Sequence, residues 1–296
     1  MSVRHNVAVP QHLRCLKGDE AVTAPHEKNM NKIATRIVFL ISFIFAIFCT
    51  LSIAQPVKHP TNALDKGDFK VGFSPTTKAK QPNKAMPKED RDILQGIADA
   101  LNGFIALPRN VYLNFDECGE ANAFYSPGTS EITICYELIG QFESEFKKVS
   151  KDPAAVEAMV DDTLVQTLFH ELGHCLIDVW DLPATGREED AVDQLATIIM
   201  LDGTPEGQRS TINAALEFKI ASAEQTKDDL LFWDEHSFSQ TRFYDMLCLV
   251  YGSDPKKNAG LVGPDLLPQE RARRCPAEYQ RANHAWERLL TPYIVK

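Results

Sequence analysis

The chain has 296 residues, with 41 acidic against 31 basic side chains, a net charge of −10 with histidines neutral, and seven cysteines. That length holds one full domain, or two lobes around a cleft, behind a leader. The acidic balance excludes a nucleic-acid partner, because phosphate backbones are bound by positive surfaces.

Residues 1–36 are polar, broken by Pro10 and Pro25, and carry no apolar stripe. An almost unbroken apolar run follows from Ile37 to Ala54, preceded by Lys32 and Arg36 and closed by the small-x-small triplet Ser52-Ile53-Ala54. These features predict a signal peptide starting at Met30, with residues 1–54 as leader; an uncleaved anchor is the alternative. Both place the body outside the cytoplasm, periplasmic or secreted, and in contact with a membrane only through that segment. The leader through Arg36 holds six Lys/Arg and three Asp/Glu, leaving 25 basic and 38 acidic residues beyond it. Residues 55–87, rich in Pro, Lys, Thr and Asn, read as a linker, and residues 88–296 as the folded domain.

Within that domain, Ile93, Ile97, Leu101 and Ile105 form one stripe of a helix over Asp90–Ile105. Val111, Leu113 and Phe115 alternate in a half-buried strand over Arg109–Asp116. Asn122–Ser126 and Glu131–Tyr136 flank Pro127-Gly128 and read as a hairpin. An apolar-patterned helix runs from Ala154 to Trp180, a second begins near Arg187 after a turn-rich break, and others span Pro205–Ala223, Ser239–Tyr251 and Gln269–Leu290. His284 and Trp286, on the last of these, are assigned to packing. Cys118 and Cys135 bracket the strand-turn-strand signal and Cys248 and Cys275 bracket a Gly/Pro-rich loop, so disulfides are expected in those pairs and a buried free thiol at Cys175.

The stretch with chemical content is His170-Glu171-Leu172-Gly173-His174. Residues four apart on a helix lie about 40° apart around the axis, so two imidazoles converge on one point. Glu171, one step round from His170, sits in the general-base position of an H-E-x-x-H metal hydrolase. Such a string arises by chance in about one chain of this length in a hundred, so its surroundings decide. Val165, Phe169, Leu172 and Leu176 make an apolar line offset from the histidines, which predicts a helix buried on one side. Gly173 costs helix stability and marks close approach of another backbone.

Catalytic zinc commonly takes three protein ligands and keeps one position open. Glu189-x-x-x-Asp193 puts two carboxylates on one face of the next helix, where Glu189 completes a His2Glu site for Zn²⁺ and Asp193 orients an imidazole through its second nitrogen. Glu188 competes for the ligand place. Alternatively, an acidic first turn merely complements the helix dipole.

HELGH followed by EDAVD resembles the gluzincin class of zinc metallopeptidases. More narrowly, HELGHCLIDVWDLPATGREEDAVDQLA, with NAFYSP upstream and DEHSFSQTRFY downstream, resembles a metallopeptidase family of bacterial secreted proteins defined as a domain of unknown function. The resemblance covers roughly Lys88 to the C-terminus. It implies an α+β zincin-like fold with a small mixed sheet, an active-site helix bearing HELGH and a mainly helical C-terminal half, acting on a peptide or protein substrate. It also implies that Asn122 and Ala123 lie on a sheet edge that holds an extended peptide; a plain hairpin strand fits those residues equally. A late histidine in that class donates a hydrogen bond to the oxyanion, and His236 with Asp234 or Glu235 matches it, with Tyr244 or Arg242 as alternatives. The competing reading makes Asp234 to Ser237 a helix-capping cluster. Arg109, Tyr125 and Arg242 are open candidates for specificity. A non-catalytic, metal-stabilised envelope binding domain is the rival to an enzyme, and Glu171, which such a site does not need, favours the enzyme.

Overall fold

The computed structural model describes residues 63–81, 85–226 and 231–295. The expected leader, residues 1–54, lies outside the described residues. In chain order the elements are β1 (Phe69–Val71), α1 (Pro75–Lys80), α2 (Lys88–Phe104), β2 (Val111–Asp116), β3 (Ala123–Ser126), β4 (Glu131–Cys135), α3 (Tyr136–Val149), α4 (Pro153–Trp180), α5 (Glu188–Met200), α6 (Pro205–Glu224), α7 (Ser239–Ser253), α8 (Gln269–Ala272) and α9 (Cys275–Leu290). The protein is thus α+β and mostly helical, with one small sheet among the described residues.

The sheet has the order β1-β2-β4-β3. The first two pairings are parallel, and β3 runs antiparallel to β4 with Ala123 opposite Ile134 and Tyr125 opposite Ile132. β4 is buried along its whole length, whereas no residue of β3 is buried: Phe124 is exposed and Ala123, Tyr125 and Ser126 are half-buried, as on an edge strand. The presence of β1 corrects the linker expected over residues 55–87. Phe69 is buried, its N–H donates to Asn102 Oδ1 at 2.7 Å, and the strand pairs with β2, so the fold begins before Lys88. A three-residue strand shows no periodicity, and its anchor Asn102 lies on a helix 33 residues away.

α4 is the central helix. Asp152 caps it by accepting from Ala154 N–H at 3.1 Å, Pro153 fills the first helical position, and Asp181 ends it in the left-handed conformation. Val165, Phe169, Leu172 and Leu176 are all buried, as their spacing predicts. They join α2, α5, α7 and α9 in the main core, each such side chain contributing about 1.5–3 kcal/mol of transfer free energy. A smaller core packs Leu138, Phe142 and Phe146 of α3 against Val156 and Val160 of α4 and Leu216 and Ile220 of α6.

α3 was not expected: Tyr136, assigned to the hairpin, starts this helix instead. The expected helix over Gln269–Leu290 is two, broken before Cys275, where Pro276 in the first turn removes an N–H donor. Cys118–Cys135 and Cys248–Cys275 are disulfides, and Cys175 is free and buried. Trp286 is buried in the core, while His284 is exposed. No helix among the described residues is long and apolar enough to cross a membrane.

Candidate metal centre

α4 and α5 meet along a seam that only a glycine permits. A Cβ added at Gly173 would lie 2.7 Å from the Val192 side chain, so α5 packs directly on the backbone of α4 beside His174. This approach turns the acidic first turn of α5 onto the histidine face of α4. Each acid there has a partner beyond the helix dipole. Glu189 presents Oε2 at 3.1 Å from His170 Nε2 and Oε1 at 3.2 Å from His174 Nε2, Glu188 Oε1 lies 2.7 Å from His174 Nδ1, and Ser237 Oγ donates to Asp190 Oδ1 at 2.7 Å.

The outer nitrogens fix how the inner ones face. His170 Nδ1 is 2.8 Å from Asp193 Oδ1, so both imidazoles direct Nδ1–H to a carboxylate and turn Nε2 inward. The two Nε2 atoms are 3.3 Å apart, and with Glu189 they form a His2Glu group whose donor atoms lie within 4.8 Å of one another. Glu189 Oε2 is buried but makes no aligned hydrogen bond, even with His170 and His236 close by. A buried carboxylate oxygen with no N–H aimed at it, beside two inward lone pairs, fits a shared cation. The residues present therefore suit a metal ion.

Glu188, weighed as a third ligand, is placed instead on the far nitrogen of His174. Asp193 is itself clamped: Arg242 donates from Nε to Oδ2 at 2.6 Å and from Nη2 to Oδ1 at 2.7 Å, and Gln166 Nε2 approaches Oδ1 at 3.4 Å. Arg242 also stacks over Phe218 at 4.0 Å. Arg242, an alternative oxyanion donor and a specificity candidate, is thus placed behind His170 with the Nε/Nη2 edge of its guanidinium on Asp193. Tyr244 lies by Lys219 and Gln240 in a separate cleft.

The electrostatics follow from this packing. Burial opposes a charge on His170, but Asp193 and Glu189 outweigh it and push its pKa up to about 9. Burial would raise Glu189 and Asp193, yet the surrounding imidazoles, and Arg242 for Asp193, hold both well below the usual carboxylate range. Glu171 is different: burial dominates and raises its pKa, although both histidines pull the other way.

Two more expected residues reach the cluster. His236 places Nε2 at 3.0 Å from Glu189 Oε2, while Asp234 Oδ1 accepts from its backbone N–H at 2.8 Å and lies 3.2 Å from its Nδ1. β3 passes alongside. The Asn122 carbonyl accepts from Cys135 N–H at 3.0 Å, so by antiparallel alternation Asn122, Phe124 and Ser126 turn their backbone toward β4, whereas Ala123 and Tyr125 face the outer edge. There the backbone of Tyr125 bonds to Glu171, and Ala123 N–H is taken by Asn122 Oδ1 at 2.9 Å. Arg109 and the Tyr125 hydroxyl both bind Asp178, one turn of α4 beyond His174. Glu188 on His174 and Arg242 on Asp193 are the contacts that sequence spacing did not identify; Arg242 lies 49 residues from its partner, beyond any local signal.

The DUF4344 family, described as "Putative metallopeptidase", matches residues 74–290. No curated protein and no solved structure matches the chain.

Proposed function

We propose, from the premise that the chain belongs to this metallopeptidase family, that it is an exported zinc-dependent peptidase of zincin type whose metal is held by His170, His174 and Glu189. The observation that carries the reading is the spacing of the three donors. Atoms that share one tetrahedral zinc at about 2.05 Å lie roughly 3.3 Å from each other; the two Nε2 atoms are 3.3 Å apart, and each has one oxygen of the Glu189 carboxylate beside it, Oε2 at 3.1 Å from His170 and Oε1 at 3.2 Å from His174. Two imidazoles and a carboxylate also suit zinc better than magnesium or calcium, which prefer all-oxygen sets. The two disulfides support an oxidising compartment, periplasmic or extracellular.

When bound, the ion supplies an acidified water and a Lewis-acid contact for the scissile carbonyl. Glu171 does the proton work: it accepts the proton from that water and delivers it to the leaving amine, and its raised pKa suits a group that must hold a proton between the two steps. His236, its ring steadied by Asp234, points Nε2 into the cluster; Glu189 and Asp234 raise its pKa, and as the imidazolium it donates from Nε2–H to the developing oxyanion. Asp193 and Glu188 keep both imidazoles aimed inward, and Arg242 holds Asp193 in place. On the outer edge of β3 the Ala123 carbonyl faces away from β4 and is offered to an extended peptide, while Asn122 holds the Ala123 N–H with its side chain.

The test is elemental analysis and peptide hydrolysis of the purified chain beside His170→Ala, Glu189→Ala and Glu171→Gln. One zinc per chain, lost in the first two and kept in the third, with hydrolysis abolished in all three, is the expected pattern. Zinc retained without hydrolysis of any peptide by the parent chain would point to the metal-stabilised binding domain instead. Turnover by Glu171→Gln would remove Glu171 as the base.

A further inference from the structure

A second cavity lies behind the metal helices, on the side away from the histidines. It has a volume of about 420 Å³, and its walls include Phe169, Leu172 and Leu176 of α4 and Leu195, Ile198 and Ile199 of α5. This is the size and character of a small-molecule site rather than of a packing defect, since interior voids seldom exceed a few waters. Another wall is α9, and that wall is not wholly apolar. Tyr279, Asn283 and Trp286, at i, i+4 and i+7, line the cavity on one face of the helix. Among the described residues none of the three side chains makes a hydrogen bond, and their polar atoms are not sealed from solvent: Tyr279 and Asn283 are half-buried, and only the ring system of Trp286 sinks into the core. Hydroxyl, amide and indole N–H groups that open onto an apolar cavity are the few polar contacts that orient a ligand in such a site. The remaining polar lining is acidic or neutral, namely Asp202, Glu287 and Thr291, with no basic side chain.

We infer that this cavity is a binding site for an uncharged amphiphile: an apolar chain or ring system along α4 and α5, with a hydroxyl, ester or amide end hydrogen-bonded by Tyr279 and Asn283. The chemistry of the rim sets the class. Asp202 and Glu287 repel a carboxylate or phosphate head, and unpaired donors and acceptors on α9 reward a neutral polar one. The site is separate from the metal centre and does not depend on the peptidase reading. Leu172 stands between His170 and His174 in sequence, so an occupant packs on both helices that carry the metal residues.

The test compares monododecanoylglycerol with dodecanoate, each below its micellar concentration at pH 8, by calorimetry and thermal unfolding of the full chain. The neutral ligand binds, raises Tm by about 5–10 °C at a hundredfold excess over its Kd, and outcompetes dodecanoate at least about tenfold. Ile199→Trp, which fills the cavity, weakens binding by at least about tenfold without changing metal content. If that variant does not fold, Ile198→Phe takes its place with the same expectation. Asn283→Leu weakens the monoglyceride and leaves dodecanoate unchanged. Absence of binding by both ligands, equal binding of the two, or undiminished affinity in the filled variant overturns the inference.

Discussion

Two groups of buried carboxylates share this fold and meet opposite fates. Glu189 and Asp193 on α5 are surrounded by three imidazoles and a guanidinium, which hold both ionised despite burial. Glu145 on α3 and Glu217 on α6 are also buried, but burial and then the charge of Glu145 push Glu217 up to about 8. Glu145 accepts from Gln141 at 3.1 Å on one oxygen, and the protonated Glu217 has the Glu145 carboxylate to donate to. Arg242 stands between the two groups, binding Asp193 while stacking on Phe218, the neighbour of Glu217. Burial alone therefore does not set the charge of a carboxylate; the cations that the fold brings to it do. At the seam of α4 and α5 those cations hold a constellation in place, and at Glu217 their shortage leaves a proton bound.

The largest effect is expected from breaking the seam at its most buried charge. Asp193→Ala leaves the Arg242 guanidinium buried and unpaired, which costs about 3–5 kcal/mol in urea unfolding. It also frees the Nδ1 side of His170, and metal affinity should fall about 10–100-fold. An unfolding midpoint equal to that of the parent would show that Arg242 finds another partner. Gly173→Ala tests the same seam from its backbone. The added methyl, 2.7 Å from Val192, must push α5 outward, at about 1–3 kcal/mol and with weakened metal retention. Stabilisation by this variant, the usual result for Gly to Ala inside a helix, would show that α5 does not approach as closely as described.

These expectations also mark what the amino-acid order reveals unaided. His170, Glu171, His174, Glu189 and Asp193 are legible because helical spacing links each to a near neighbour, and both disulfide pairs are legible because their cysteines bracket turns. Gly173 is legible as a cost that needs a reason. α3 is not, because Tyr136 continues the alternation of β4 and conceals where strand becomes helix. β1 is hidden by its brevity inside a Pro- and Lys-rich stretch. The role of Glu188 is hidden for another reason. Sequence places it beside Glu189 at equal cost, and only the angle at which α5 crosses α4 sends one carboxylate inward to both Nε2 atoms and the other to an Nδ1.

Glu217→Gln sharpens the comparison from the other side. The folded-state pKa of Glu217 stands at about 8, above the ordinary 4.5. The protonated acid therefore contributes stability that is complete below about pH 4.5 and is lost as pH rises through about 8. Glutamine cannot ionise, so the variant should gain on the parent steadily across that window, by more than about 1 kcal/mol at pH 9. Urea midpoints of the two chains from pH 5 to pH 9 measure this, and parallel curves would place Glu217 in a solvated setting.

The smallest change is at Glu188, and it separates the carboxylate proposed as a ligand from the one proposed to aim an imidazole. Its side chain is 45 % exposed, so its bond to His174 Nδ1 is partly screened, and Glu188→Gln should move stability by less than about 0.5 kcal/mol. Glutamine keeps an oxygen that can accept from Nδ1–H, so metal affinity should drop only a few-fold, whereas Glu189→Gln removes the charge shared with both Nε2 atoms and should lose the metal. The two isosteric changes on adjacent residues differ only in which nitrogen the carboxylate meets. Equal loss of metal in both would mean that Glu188 also enters the coordination sphere. Loss at Glu188 alone would exchange the roles of the pair and require α5 to sit rotated by about 100°, one residue of helix, on α4.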